Sequence, residues 1–201
     1  MIKNIIFDMG NVLIAFNPKE IIQRVHVDEK DAELLENTIF LSQEWVDLDS
    51  GSRTEDEICE KIKKKLPERL HDTMNRLITK WDEPLVEIEG MEKLVKEIKE
   101  KGYKIYLLSN ASSRQKEYWD RISASKYFDG TLISADEKMM KPYPVIYHRL
   151  FEKFSIKPEE SFFIDDSKDN IAAGERLGMP GVVFDGDAEE LRKILIEKKI
   201  L

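Results

Sequence analysis

The sequence predicts an α/β protein: a mainly parallel sheet with helices on both faces, interrupted after its first strand by a helical insertion. Three observations predict it. From Met91 to the end, short apolar runs alternate with amphipathic segments, the pattern of a parallel sheet built by helical crossovers. Between about residue 17 and residue 87 the chain has no convincing strand. Three of the apolar runs end in polar residues, Asp8, Ser109-Asn110 and Asp165-Asp166, and in open α/β sheets ligands gather beyond the carboxyl ends of strands.

The elements follow in order. Ile2 to Phe7 reads as the first strand, with the carboxylate of Asp8 placed where that strand ends, because an ionised side chain inside it would be costly. The insertion holds a capping box, Thr54 with Glu57, ahead of Ile58, Ile62 and Leu66. Met74, Leu77, Ile78 and Trp81 fall at the spacing of one helix face, which assigns all four to ordinary packing. Glu92 to Lys101 is a helix stopped by Gly102, Lys104 to Leu108 a strand and Thr131 to Ile133 another. Pro144 opens a helix over Val145 to Phe154. Ser161 to Ile164 is a strand, Ile171 to Leu177 a helix closed by Gly178, and Val182 to Phe184 the last strand. Asp187 caps a final helix, Ala188 to Lys199. The domains expected are a core of residues 1–16 and 88–201 and a helical cap of 17–87.

Composition narrows the function. A net charge of -8 argues against nucleic acid or an anionic membrane as the main partner. A small anionic ligand then needs a local cation, a metal or a placed lysine. No apolar run approaches the roughly 20 residues of a membrane span, Met1-Ile2-Lys3 leads straight into a strand without a signal-peptide pattern, and Cys59 is the sole cysteine. These features lead us to expect a cytoplasmic protein. Nothing in the sequence sets its oligomeric state.

The polar strand ends carry the chemistry. Asp8, Asp165 and Asp166 brought together repel one another unless a hard cation sits among their oxygens, and Mg²⁺ is the natural occupant. Lys141, in the loop before the helix at Pro144, adds a fixed positive charge, and the Ser109 hydroxyl adds a donor. Together they form a site for a tetrahedral anion, phosphoryl above all, with Asp8 positioned to attack as a carboxylate nucleophile.

In this order and at these strand ends, Asp8-Met9-Gly10-Asn11-Val12, Leu108-Ser109-Asn110, Lys141-Pro142 and Asp165-Asp166-Ser167-Lys168-Asp169-Asn170 resemble the four motifs of the haloacid dehalogenase (HAD) superfamily. The runs MMKPYPVIY and FFIDDSKDNIAAGERLGM resemble the branch of bacterial glucose-1-phosphate phosphatases and the phosphatase domain of soluble epoxide hydrolase. The resemblance implies a HAD-like Rossmannoid core, the insertion being its cap. It makes Asp8 the nucleophile that forms an aspartyl-phosphate. Mg²⁺ ligands would be Asp8, the Gly10 carbonyl and Asp166, with Asp165 acting through a water on the metal. Ser109 and Lys141 match phosphate-holding positions, Asn110 is expected to contact substrate or phosphate, and Asn170 stands behind the ligands where the family often has Asp.

The expected activity is Mg²⁺-dependent hydrolysis of a small phosphorylated metabolite such as a sugar phosphate. The alternatives are a catalytically weak relative that binds a phosphorylated ligand or a protein partner, and a haloacid dehalogenase, against which the acidic pair Asp165-Asp166 argues. Gly10 stands where the family commonly has a second Asp that handles the leaving-group proton. Glycine has no proton to give, so good leaving groups should be preferred unless water or a cap residue supplies one. In the cap, Trp45, Asp47, Asp49 and Arg53 are candidates for reading the substrate, against a plain helix start and linker. Cys59 and the scattered His26, His71 and His148 receive no chemistry.

Overall fold

Four consecutive buried residues, Asn4–Phe7, form β1 at the centre of the sheet in the computed structural model, which describes residues 1–201. β2 (Lys104–Ser109) and β3 (Gly130–Ile133) lie on one side of it, β4 (Ser161–Asp165) and β5 (Gly181–Val183) on the other. The order is β3-β2-β1-β4-β5 and every pairing is parallel. Phe7 is level with Leu107 and with Ile164, so the residues that follow, Asp8, Leu108-Ser109 and Asp165-Asp166, emerge together. The topology also reverses here: successive crossovers run outward from β1 through β2 and β3, then return to β1's other flank. A crevice forms at such a point.

Helices take up the two faces of the sheet. Ile5 and Phe7 point to one face, where α6 (Met91–Glu100) brings Met91, Leu94, Val95 and Ile98 and α11 (Ala188–Glu197) brings Leu191 and Leu195. Ile6, between them, faces α9 (Pro144–Phe154) with Ile146, Tyr147 and Leu150, and α10 (Lys168–Arg176) with Ile171 and Ala173. The alternation along β1 is the strand period of two expressed in packing.

Between β1 and α6 the chain is helical: α1 (Pro18–Gln23), α2 (Glu29–Leu35), α3 (Gln43–Asp49), α4 (Glu55–Lys63) and α5 (His71–Thr79). Asn17, Asp28, Ser42 and Thr54 cap the first four, and the Thr54–Glu57 capping box closes in both directions. Their apolar faces enclose a separate cluster of 14 buried residues that includes Ile58, Ile62, Met74, Leu77 and Ile78. Cys59 is buried in it. The chain leaves and re-enters the sheet side by side, with the Ala15 amide donating to Val86 at 2.8 Å and the Ile88 amide to Leu13 at 3.0 Å. No helix is long and apolar enough to cross a membrane.

Several boundaries differ from expectation. β1 starts at Asn4, not Ile2, while β2 and β4 each run one residue further, to Ser109 and Asp165. β5 begins at Gly181, where a Cβ would sit 2.7 Å from the Phe163 carbonyl oxygen; glycine permits that strand to start one residue early. α10 begins at Lys168, capped by Ser167. Two short helices, α7 (Gln115–Tyr118) and α8 (Ser134–Glu137), have too few residues to show a periodicity. The larger correction concerns Trp81. α5 stops at Thr79 and Lys80 is extended in φ at -145°, so Trp81 lies beyond the helix; it packs against the cluster of Met74, Leu77 and Ile78 as expected and also reaches the crevice.

Candidate active site

Lys141 is the centre of the site. It is 3% exposed, and its ammonium lies 2.8 Å from Asp8 Oδ1 and 2.7 Å from Asp165 Oδ2 while donating to the Leu108 carbonyl at 2.9 Å. Burial works against the ammonium, and the Asp8 and Asp165 charges override it, holding Lys141 above its ordinary pKa. Burial pushes the Asp8 carboxyl up to about 6, Lys141 pulling it back and Asp165 adding to the rise. The loop that delivers Lys141 is fixed by Asn110: its Oδ1 accepts from the Lys141 amide and its Nδ2 donates to the Lys141 carbonyl, both at 2.9 Å. Much of the hydrogen-bonding capacity of Asn110 therefore goes into this clamp, although the residue also borders the crevice.

Asp8, Asp165 and Asp166 each offer an oxygen within 4.8 Å of the others. Their surroundings divide their labour. Asp165, fully buried, accepts from Lys141, from the Ser167 amide at 2.8 Å and from Asn170 Nδ2 at 3.0 and 3.1 Å on its two oxygens. With its lone pairs so engaged it suits an indirect role. Lys141 engages Asp8 Oδ1 and Asn11 Nδ2 engages Oδ2 of the exposed Asp166 at 3.1 Å, which leaves both carboxylates with fewer protein donors than Asp165. These two less engaged carboxylates beside the Gly10 turn form a hard-oxygen donor set that fits Mg²⁺. Ser109 ends β2, 1% exposed. Asn11 is a residue that sequence reasoning did not single out. It adopts a left-handed φ of 54°, which Asn tolerates, and from there aims at Asp166 while its Oδ1 accepts from the Phe16 amide at 2.9 Å.

A cavity of about 90 Å³ opens from Asp8 and Gly10 towards the helical insertion. Ile14, Phe16, Trp45, Trp81 and Tyr118 form its apolar wall, and Asp49, Asn110 and Ser112 its polar part. The aromatic rings brace one another: Phe16 meets Trp81 edge-on at 5.0 Å and Trp81 meets Tyr118 at 5.4 Å. Of the four cap candidates, Trp45 and Asp49 reach this cavity. Asp47 and Arg53 do not; they pair with each other at 3.8 Å, and with Lys61 and Glu57 respectively at 3.6 Å. Trp45 and Asp49, four residues apart, share one face of α3, Asp47 lies on the other, and Arg53 follows the helix. Phe16, Trp81, Ser112 and Tyr118 were missed because no motif marks them. Buried Asp82, beside Trp81, binds Arg114 at 3.3 Å and Arg121, anchoring the returning chain to the core.

A haloacid dehalogenase-like hydrolase family model matches residues 2–178. The sesquiterpene phosphatase astK of Aspergillus oryzae is 29% identical over 189 residues, 90% of this chain and 88% of that protein. Pyrophosphatase PpaX of Bacillus mycoides is 29% identical over 98 residues, which span 48% of this chain and 46% of PpaX. Among solved structures, the HAD family enzyme BT-2542 of Bacteroides thetaiotaomicron, in complex with magnesium and inorganic phosphate, superposes with a TM-score of 0.75 at 25% identity, covering 95% of this chain and 99% of that one.

Proposed function

The chain belongs to the haloacid dehalogenase-like hydrolase family, and we propose that within it the protein is a Mg²⁺-dependent phosphomonoester hydrolase acting through an aspartyl-phosphate. The observation that carries this reading is the buried ammonium of Lys141 held between Asp8 and Asp165, with the exposed carboxylate of Asp166 beside them. Phosphatase relatives and a structural neighbour solved with magnesium and phosphate support it.

Asp8, Asp166 and the Gly10 carbonyl would hold the ion, with Asp165 one shell away and kept in place by Asn170. When bound, Mg²⁺ supplies charge neutralisation for the phosphoryl oxygens. The remaining roles belong to the chain. One carboxylate oxygen of Asp8 attacks phosphorus as the ester oxygen departs while the other would face the ion, and Lys141 meets the charge on the transferring group from a buried position where its field is little screened. Ser109 and Asn110 orient the phosphoryl oxygens. Residues 17–87 act as the cap over a core of 1–16 and 88–201, and its aromatic wall keeps bulk water from the aspartyl-phosphate until the alcohol has left.

A sugar phosphate was the substrate expected from the sequence. The apolar wall of Ile14, Phe16, Trp45, Trp81 and Tyr118 favours a second reading, in which the group next to the phosphate is hydrocarbon or aromatic; the relationship to a sesquiterpene phosphatase points the same way. The test is turnover of sugar, aryl, benzyl and prenyl monophosphates with Mg²⁺ and with chelator. Metal-dependent phosphate release, faster on the apolar esters, is the expected result. No release from any ester would leave the weak binding relative, and release unaffected by chelator would remove Mg²⁺ from the account.

A further inference from the structure

Transfer of a phosphoryl group to Asp8 leaves an alkoxide unless a proton reaches the departing oxygen, and the residue two positions after the nucleophile is Gly10, which has none to give. The donor has to face the cavity that opens from Asp8. Three titratable groups do so: Asp8 itself, Asp49 and Tyr118. Asp8 is consumed as the nucleophile. Burial holds the Tyr118 hydroxyl above its ordinary pKa, which makes it a weak acid and leaves it protonated throughout.

We propose that Asp49, supplied by the helical insertion, is the proton donor to the leaving group and then the base for the water that hydrolyses the aspartyl-phosphate. This rests on the phosphatase reading above and adds to it the group that handles the proton.

The geometry is built to hold this carboxyl against the catalytic core. Asp49 is the last residue of α3, and its carbonyl accepts from Ser134 Oγ at 2.5 Å, at the start of α8. The same hydroxyl accepts from the Ala111 amide at 2.9 Å, on the loop following β2. Gly51 makes this approach possible: a Cβ there would lie 2.2 Å from the Ala135 carbonyl oxygen, and its φ is +67°, a conformation glycine adopts without strain. The Asp49 carboxyl lines the cavity together with Trp45 and Ser112. Two pieces of the core, the loop after β2 and the start of α8, thus fix a cap residue at the wall of the cavity that Asp8 also lines. Positional control of this kind is what proton transfer to a reacting atom requires.

Its protonation state agrees. Burial is the dominant influence and pushes Asp49 up to about 8, the Ser112 amide and the Trp45 side chain pulling it back and the Asp8 charge adding to the rise. At neutral pH the carboxyl carries a proton. In the first step the Asp8 oxygen–phosphorus bond forms, the phosphorus–ester oxygen bond breaks, and that oxygen takes the electron pair and the Asp49 proton, leaving as the alcohol. In the second step water attacks phosphorus and gives its proton to the Asp49 carboxylate. The phosphorus–Asp8 bond breaks, and inorganic phosphate, Asp8 carboxylate and protonated Asp49 result.

The test is rapid-quench measurement of alcohol release in the first turnover, with Mg²⁺, for nitrophenyl, phenyl and benzyl phosphates, on the native protein, D49N and D49E. The three esters are alike in shape and differ in how much their leaving oxygen needs a proton. Native rates should vary little along the series. D49N should stay within a few-fold of native on nitrophenyl phosphate and fall by about 10²- to 10⁴-fold on benzyl phosphate, with D49E recovering part of the loss on benzyl phosphate alone. A D49N loss equal on all three esters would make Asp49 a purely structural contact and overturn the proposal, as would native rates on benzyl phosphate. A native protein that releases no alcohol from any ester would overturn the phosphatase reading instead, and the assignment with it.

Discussion

Replacing Lys141 by Ala removes the one cation buried among the site's carboxylates, and the structure sets what this should cost. Its ammonium is 2.8 Å from Asp8 and 2.7 Å from Asp165, with 1% of the side chain exposed. Without it, two buried carboxylates face each other uncompensated, and removing one partner of a buried pair costs about 3 to 5 kcal/mol. For a chain of this size that is a drop in Tm of roughly 6 to 20 °C in chelator. Saturating Mg²⁺ should restore part of the loss, because it neutralises the same oxygens. Catalysis should not recover. An electrostatic contact to a transferring group is worth about 3 to 4 kcal/mol, roughly 10²- to 10³-fold in kcat. Lys141→Arg should rescue little, since a planar fork does not replace a compact ammonium. The assays are thermal unfolding with and without Mg²⁺, and steady-state kinetics on an aryl phosphate. Native kcat in Lys141→Ala, or a Tm unmoved in chelator, would refute the reasoning.

Other consequences are equally open to measurement. Asn170→Ala frees both oxygens of Asp165 from a donor and should weaken Mg²⁺ binding about 10- to 100-fold, read by metal titration of activity, with little change in KM at saturating metal. Trp81→Leu should raise KM for apolar esters roughly 10-fold, in line with about 1 to 3 kcal/mol for a buried side chain, and leave inhibition by inorganic phosphate unchanged; a parallel loss in both would move the apolar group elsewhere. The hydrogen bond from Lys65 holds the Glu44 carboxyl down at about 2, so its contribution to stability is present above about pH 4.5 and is lost as pH falls towards 2. Glu44→Gln should flatten the acid limb of the Tm curve over that window, by about 1 to 2 kcal/mol because both lysine partners are substantially exposed. Gly10→Asp has room at its Cβ, where the nearest neighbour is Phe16 at 3.8 Å, and should restore part of the benzyl phosphate rate to D49N.

How much of this was legible in the sequence differs between core and cap. The five strands declare themselves because each is a short apolar run between turn residues, and the polar residues at their ends mark the crevice without further help. Asp8, Lys141, Asp165 and Asp166 therefore sit together as expected, and Asn170 stands behind Asp165. Strand ends shifted by one or two residues, since hydrogen-bond pairing with neighbours, not local composition, sets where a strand stops. Trp81 packs in the insertion as expected, but its place at the crevice was not legible. Its spacing continues the face of α5, yet the helix ends two residues earlier, and no local feature distinguishes the two outcomes. Asp49 and Asp47 look alike in EWVDLDSGSR; what separates them is the contact of Asp49 with Ser134 and its place in the cavity beside Ser112, far along the chain, which only the folded arrangement supplies. Phe16, Ser112 and Tyr118 join the cavity in the same way.

The central claim is that Asp8 is the group to which phosphorus is transferred, and trapping tests it most directly. The native protein is mixed with Mg²⁺ and an excess of aryl phosphate, quenched in acid within the first turnovers, digested and examined by mass spectrometry. The account predicts a phosphoryl group on the peptide containing Asp8, absent in Asp8→Asn, whose turnover should fall to below a tenth of native while its fold persists. No phosphorylated Asp8 at any quench time, together with substantial activity in Asp8→Asn, would contradict it and make water the direct nucleophile.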